Sequence, residues 1–315
     1  MTGIDEQTVP FRPFKPGTLW SSLRRRTAEA LRSGALQPLP SGFEFVEQRG
    51  IRFLVRLLAG LERKREAREV QERLESASSG TVNPFLPPDP EMFVAEVSAT
   101  HLALLNKFNV IDHHLLLVTR AFEEQESLLT LEDFQAMWTC MSEFQSLAFY
   151  NSGRIAGASQ RHKHLQIVPV PLAPEGGGEV PIEPALACAE AGRGPVSSPV
   201  LPFVHAFSRF DPLRVTDLGE AARGSLEAYH LLLRATGLEP AGPAREPGQP
   251  GPYNLLVTRR WMFLVPRSRE CFETISVNAL GFAGALLVRH VAELEDLKKR
   301  GPLTALRAVG IPLES

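Results

Sequence analysis

Side chains alternate between two faces only when a backbone is extended, and the run His162-Lys163-His164-Leu165-Gln166-Ile167-Val168 is built to alternate. As a strand it lines His162, His164 and Gln166 along one face and Lys163, Leu165 and Ile167 along the other. Just upstream lies a turn-rich loop, Asn151-Ser152-Gly153 followed by Gly157-Ala158-Ser159-Gln160. Its glycines let backbone N–H groups come close to an anion. The chain must therefore contain a sheet whose exposed ridge carries two imidazoles and an amide beside an anion-cradling loop. In outline that is a phosphoryl-transfer site.

At 315 residues the chain can bury a large core, in one large domain or two. Its formal net charge of −2 supplies no basic field, so neither nucleic acid nor an anionic membrane is expected as a partner. Cys140, Cys188 and Cys271 are odd in number, far apart and without a C-x-x-C pair. That argues against a disulfide framework or structural zinc and for a reducing compartment. The opening residues TGIDEQTVPFRPFKPG lack a signal-peptide apolar core, and the most apolar segment, Ala279 to Val288, is too short to span a bilayer. A cytoplasmic protein is the expectation.

Taken in order, Leu19 to Arg32 reads as a surface helix with Leu19, Leu23, Ala30 and Leu31 on its apolar side. Phe43-Glu44-Phe45-Val46 and Ile51-Arg52-Phe53-Leu54-Val55 alternate around Arg49-Gly50, as a hairpin does. Residues 60–79 are densely charged and read as a solvated helix or lid. Asn83 to Pro88 (NPFLPP) cannot be helical and enters the next strands rigidly. His101 to Phe108 and His113 to Arg120 form an antiparallel pair, with Asn106 and Lys107 near the end of its first strand. His113 and His114 adjoin in sequence but face opposite ways.

Thr130 to Phe149 reads as the clearest helix, opened by a capping box in which Asp133 takes the place usually held by Glu or Gln. Its stripe of Phe134, Met137, Trp138, Met141, Phe144 and Leu147 is core-facing. Residues 171–202 are a Pro/Gly-rich excursion, and 238–252 a second linker. Between them Val215 to Gly237 contains a helix. Tyr253 to Thr258 and Trp261 to Pro266 form a second hairpin, and Ala279 to Lys299 is a helix stopped by Gly301-Pro302.

Nucleotidyl transfer needs an unprotonated nucleophile, donors for the non-bridging oxygens and help for the leaving oxyanion. Imidazole suits the first role because its reference pKa lies near neutrality. Within His-x-His-x-Gln the central His164 is best placed to attack phosphorus. Gln166 can donate to a phosphate oxygen, His162 can orient its surroundings, and Ser159 and Gln160 can hold outer phosphates. An isolated His-x-His pair also occurs as a structural element or a metal pair, but no Cys, Asp or Glu stands close in sequence to complete a metal set. Walker A and G-x-G-x-x-G signatures are both absent.

Several segments resemble a known family. NPFLP (Asn83 to Pro87), LLNKFNVIDHHLLLVTR (Leu104 to Arg120), FYNSG (Phe149 to Gly153), GASQRHKHLQ (Gly157 to Gln166), YNLLVTRRWMFLVPRS (Tyr253 to Ser268) and SVNALGFAGALLV (Ser276 to Val288) are similar, in order, to ATP adenylyltransferases. These are also called diadenosine tetraphosphate (Ap4A) phosphorylases and belong to the histidine-triad superfamily. The resemblance implies an α+β fold: a histidine-triad-like antiparallel sheet with packed helices and a family-specific C-terminal region. The expected layout is an N-terminal helical segment over 1–42, a catalytic region over 43–202 and a C-terminal region over 203–315 packed on the same core. It further implies phosphorolysis of Ap4A by inorganic phosphate to ATP and ADP through an adenylyl-histidine, with Mg2+ carried on the substrate phosphates.

By motif, His164 would be the nucleophile, assisted by His162 and Gln166. Nucleotide and phosphate contacts would come from Lys64, Asn106, Lys107, Asn151, Ser152, Gly153, Gly157, Ala158, Ser159 and Gln160. Asn278, Ala279, Leu280, Ala285 and Arg289 would complete them, although Arg289 stands where other members carry lysine, which keeps the charge and changes its geometry. Asn278 also suits a plain helix cap. The competing readings are a related transferase, such as an ADP-sulfurylase or a hexose-1-phosphate uridylyltransferase-like enzyme, and a dinucleotide-binding sensor without turnover. An intact nucleophile argues against the sensor, and Gln166 in place of a third histidine argues against a hydrolase.

Overall fold

A computed structural model describes residues 13–39, 41–58, 83–173, 179–189, 194–210, 216–238 and 250–313. Helix α1 (Leu19–Ser33) ends on Gly34 in the left-handed conformation. It buries Leu19, Leu23 and Ala30, whereas Leu31, expected on the same stripe, is exposed. Strands β1 (Ser41–Gln48) and β2 (Ile51–Leu58) pair in the register Gln48↔Ile51 around the turn Arg49-Gly50, as the alternation predicted. Both turn residues have positive φ, which matches the twist of a two-residue hairpin loop.

The main sheet holds β3 (Phe93–Glu96), β4 (His101–Leu105), β5 (Leu115–Thr119), β6 (Ser146–Asn151), β7 (His164–Pro169), β8 (Ala206–Arg209), β9 (Tyr253–Val257) and β10 (Trp261–Pro266). Their order is β3-β4-β5-β7-β6-β9-β10-β8, and every neighbouring pair is antiparallel. The strand bearing His164 is therefore interior, and the sheet passes without a break from residues before 202 to residues after it. One face is covered by α1, by α2 (Leu131–Met141) and by α4 (Leu218–Ala235), through Leu23, Phe134, Met137, Tyr229 and Leu232 packed on Leu165, Ile167 and Leu255.

On the opposite face two apolar clusters lie side by side. The larger joins Leu147, Phe149, Val168 and Leu256 to Phe53 and Val55 of β2 and to the C-terminal helices. The smaller joins Phe85 to Leu104, Leu116 and Val118. His164 and Gln166 lie on the same face, opposite Val118 and Leu116 of β5.

Two long helices expected from the sequence are shorter. α2 carries the capping box, with Thr130 and Asp133 bonded reciprocally, but it ends at Met141, and Ser146–Asn151 is strand β6. A fully buried strand is apolar on both faces, so Leu147, after Phe144 in the turn, extended the helical stripe by accident. The segment from Ala279 onward divides into α5 (Ala279–Phe282), β11 (Ala285–Val288) and α6 (Val291–Arg300), followed by α7 (Pro302–Val309). Gly284, at φ +89°, turns the chain where a Cβ would lie 2.7 Å from Pro181, and β11 then pairs in parallel with β2. The 171–202 excursion contains a short helix, α3 (Glu183–Ala187). The charged segment 60–79 lies outside the described residues.

Candidate active site

The alternation places its side chains as predicted. Lys163 points to the helical face, where its ammonium meets Asp133 at 2.6 Å and Glu123 at 3.0 Å. Asp133 also bonds the His101 ring at 2.9 Å. Burial pushes the Asp133 carboxyl up, but its bonds to His101 and Lys163 outweigh that and hold it below the usual range. This ionic cluster pins the back of the strand.

On the other face the His164 ring Nδ1 lies 2.8 Å from the main-chain oxygen of His162. A carbonyl can only accept, so Nδ1 carries the proton and Nε2 holds the free lone pair. Nε2 has no partner among the described residues. The ridge is not exposed as the sequence led us to expect: His164 is 4 % accessible and packs against Phe85, with ring centroids 5.2 Å apart. Burial lowers the His164 pKa to about 4, against a smaller upward pull from the His162 carbonyl. The imidazole is neutral at cellular pH.

His162 is fixed the same way. Its Nε2–H points at the Thr119 carbonyl, 2.8 Å away, which leaves Nδ1 to accept from the Asn83 amide at 2.7 Å. Phe85 and Phe122 flank its ring. Gln166 is set by two residues just outside strands β5 and β4. His114 Nε2–H donates to Gln166 Oε1 at 3.0 Å, while Asn106 Nδ2 donates to His114 Nδ1 at 3.2 Å. With Oε1 engaged, the Gln166 amide presents its N–H groups as donors. Asn106 therefore belongs to the network that sets Gln166, whereas Lys107 is exposed and reaches over Phe108.

The glycine loop closes on the C-terminal region. Asn151 Oδ1 accepts from Asn254 Nδ2 at 2.8 Å and from the Ala279 N–H at 2.9 Å. Gly157, at φ +89°, approaches Asn278 so closely that a Cβ would lie 3.0 Å from its Cα. Asn278 caps α5 through the Leu280 N–H, as the plain reading of that residue predicted. Gly153, at φ +79°, has Glu126 where its side chain would be. Ser159 is exposed, Gln160 half-buried and Ala158 buried.

Some expected contacts lie elsewhere. Ser152 is fully buried and its N–H donates to the Tyr253 carbonyl, so it supports the loop from behind. Ala279, Leu280 and Ala285 are buried, and the first two have their N–H groups engaged. Arg289 spends its guanidinium on Glu293 and on the Thr274 carbonyl. Lys64 lies outside the described residues.

Sequence reasoning missed four residues. His114 orients Gln166. Gln125, 1 % accessible, bonds the His164 main chain. Asn254 and Arg267 anchor the glycine loop: Arg267 donates to the carbonyls of Ala156 and Val277 and to Asn254 Oδ1, while Asn254 holds Asn151. Burial lowers the Arg267 pKa to about 10. Gln125 sits in an acidic stretch, and Arg267 in a hairpin exit, so neither carried a local signal. His114 did, since its partner strand was legible.

A neutral imidazole fixed through Nδ1 and flanked by amide donors is equipped to bond an electrophile at Nε2. On a large antiparallel sheet packed with helices, this is the arrangement of a nucleotidyl-transferring enzyme. A family profile described as the Ap4A phosphorylase N-terminal domain matches residues 10–188. One described as the ATP adenylyltransferase C-terminal domain matches residues 199–312. The chain belongs to the Ap4A phosphorylase family.

It is 29% identical over 245 residues to "Diadenosine 5',5'''-P1,P4-tetraphosphate phosphorylase 2" of Saccharomyces cerevisiae, covering 71% of this chain and 74% of that protein. It is 29% identical over 215 residues to "Protein APA1" of the same yeast, covering 64% and 65%. The crystal structure of yeast Ap4A phosphorylase Apa2 in complex with AMP shares the fold, with a TM-score of 0.77 at 23% identity over 96% of this chain and all of that one. The same yeast protein in complex with Ap4A gives 0.76.

Proposed function

We propose that the chain is an Ap4A phosphorylase: it cleaves diadenosine tetraphosphate with inorganic phosphate to ATP and ADP, and His164 carries the adenylyl group between the two half-reactions. Family membership supports the reaction. The single observation that supports the route is the Nδ1 bond to the His162 carbonyl, which leaves Nε2 as the free nucleophile. In the first half-reaction the Nε2 lone pair forms a bond to the α-phosphorus. The bond from that phosphorus to the bridging oxygen breaks with its electron pair, and ATP leaves. In the second, an oxygen of inorganic phosphate bonds the same phosphorus, the P–N pair returns to Nε2, and ADP is released.

Gln166, held by His114, donates to a non-bridging oxygen as charge builds there. Asn151 and the loop Gly157 to Gln160 hold the nucleotide and phosphates. Among the described residues no three His, Cys, Asp or Glu side chains stand close enough to hold a metal. Magnesium fits this site as an ion brought on the substrate oxygens, where it would neutralise phosphate charge. We assign the reaction to the cytoplasm, where the free thiols Cys140, Cys188 and Cys271 remain reduced. Among the described residues no helix is long and apolar enough to cross a membrane.

Incubation with Ap4A in the absence of phosphate, rapid quench and intact-mass measurement test the route. The expected result is one added AMP on the wild type and none on His164→Ala, which still binds Ap4A. An unshifted wild-type mass overturns the covalent route. Added phosphate should then release the bound AMP unit as ADP, so that full turnover gives equal ATP and ADP, whereas two ADP per Ap4A would mean symmetric cleavage by water.

A further inference from the structure

Strands β6 and β7 are paired from Ser146↔Pro169 to Phe149↔Gln166 and then separate. Past that point Tyr150 and Asn151 remain paired with β9 but no longer with β7. Separation of two interior strands leaves main-chain groups without ladder partners, and such groups are costly when buried. One side chain fills the gap. Gln125 Nε2 donates to the Asn151 carbonyl at 2.9 Å and to the His164 carbonyl at 3.1 Å, and Gln125 Oε1 accepts from the His164 N–H at 2.9 Å. Its carboxamide therefore stands in for a strand segment and spends both amide hydrogens and its oxygen in doing so.

The backbone of Gln125 is itself held. Its N–H donates to the Arg161 carbonyl at 2.7 Å, and its carbonyl accepts from the Tyr150 hydroxyl. We propose that Gln125 is the positioning residue for His164, fixing the main chain on which the imidazole turns while keeping β6 and β7 apart so that phosphorus can reach the ring. It touches no substrate atom. Its effect runs through the two peptides that flank His164, which set the angle at which Nδ1–H meets the His162 carbonyl. The inference rests on the nucleophile assignment above.

A carboxamide is the one ordinary side chain of this length that supplies donor and acceptor together. Methionine has the length and neither function. Glutamate accepts from the His164 N–H but sets lone pairs against two carbonyl oxygens, unless it is protonated. The titratable and charged groups nearest the position are Glu123, Glu124 and Glu126 on its own segment, Arg161, which pairs with Glu124, Tyr150 on β6, and His162 and His164; Lys163 pairs with Glu123 and Asp133 on the other side of the sheet. Burial raises the pKa of a glutamate placed there, so falling pH restores one donor.

The experiment measures ATP release from Ap4A in a single turnover without phosphate, on Gln125→Met, Gln125→Glu and the wild type, with KM and thermal stability taken alongside. Gln125→Met should slow the adenylyl step roughly 100-fold, the scale of a misaligned reacting pair, with KM changed less than roughly threefold. Gln125→Glu should be equally slow near pH 8 and regain at least about tenfold towards pH 5, while the wild type stays flat because His164 remains neutral to about 4. Variants that melt earlier yet turn over within about threefold of the wild type assign Gln125 a structural role alone and overturn the proposal. So does a Gln125→Glu profile parallel to the wild type, or a Gln125→Glu that fails to fold even near pH 5. A Gln125→Met that fails to fold leaves the decision to Gln125→Glu. If the wild type itself releases no ATP, the functional reading fails first, before any variant is compared.

Discussion

Burying an imidazole fixes its charge as well as its position. His164 has a folded pKa of about 4 against an unfolded value of 6.5. Above 6.5 both states are neutral and the group contributes nothing to the pH dependence. As pH falls from 6.5 towards 4, the unfolded chain takes up a proton that the native ring refuses, so stability declines, by up to about 3 kcal/mol once both values are passed. His162 and His205, also lowered by burial, act with the same sign. Denaturant titrations near pH 8 and pH 5 should show the lower midpoint at the acid end, and His164→Phe should narrow the difference.

The acceptor side of the site gives a second expectation at this scale. His114→Ala frees the Gln166 amide to rotate and should reduce kcat about tenfold with little change in KM, because only its orientation towards the developing charge is lost. His162, His164 and Gln166 were legible as a ridge because strand alternation is a property of single residues. Gln125 was not, because a side chain that stands in for a strand can come from anywhere in the sequence.

Among the elements, the glycine loop and α5 meet at the tightest point. Gly157→Ala would place a side chain at φ +89° and within 3.0 Å of the Asn278 backbone and the Val277 carbonyl. Strain of about 1–3 kcal/mol follows, and the loop must move away from the cap of α5. KM for Ap4A should rise more than kcat falls, which steady-state kinetics will read. Hairpins were the most legible elements: the Arg49-Gly50 turn and the Tyr253 to Pro266 pair lie as the sequence indicated. The two long helices were overread for one reason. SLAFYN and ALLV are short apolar runs that join a neighbouring helical stripe without a break, and only the strands beside them, β9 and β2, settle their conformation.

Across the whole molecule, Arg267 ties the hairpin β9–β10 to the glycine loop, to the approach to α5 and to the end of α7. Its nitrogens donate to the carbonyls of Ala156, Val277, Arg269, Glu270 and Val309 and to Asn254 Oδ1. Arg267→Met would leave these buried acceptors without donors and should cost at least about 3 kcal/mol, seen as a large fall in melting temperature. Arg267→Lys cannot serve acceptors in so many directions and should recover only part of it.

The neighbour relation of β6 and β9 has a further consequence. The two family profiles divide the chain between 188 and 199, yet the hydrogen bonds from Ala148 to Asn151 with Asn254 to Val257 cross that division in the middle of the sheet. Severed there, each fragment would carry a naked interior edge, an invitation to self-association. Expressed apart, the halves should precipitate; expressed together, they should zip along this seam and elute as one active particle.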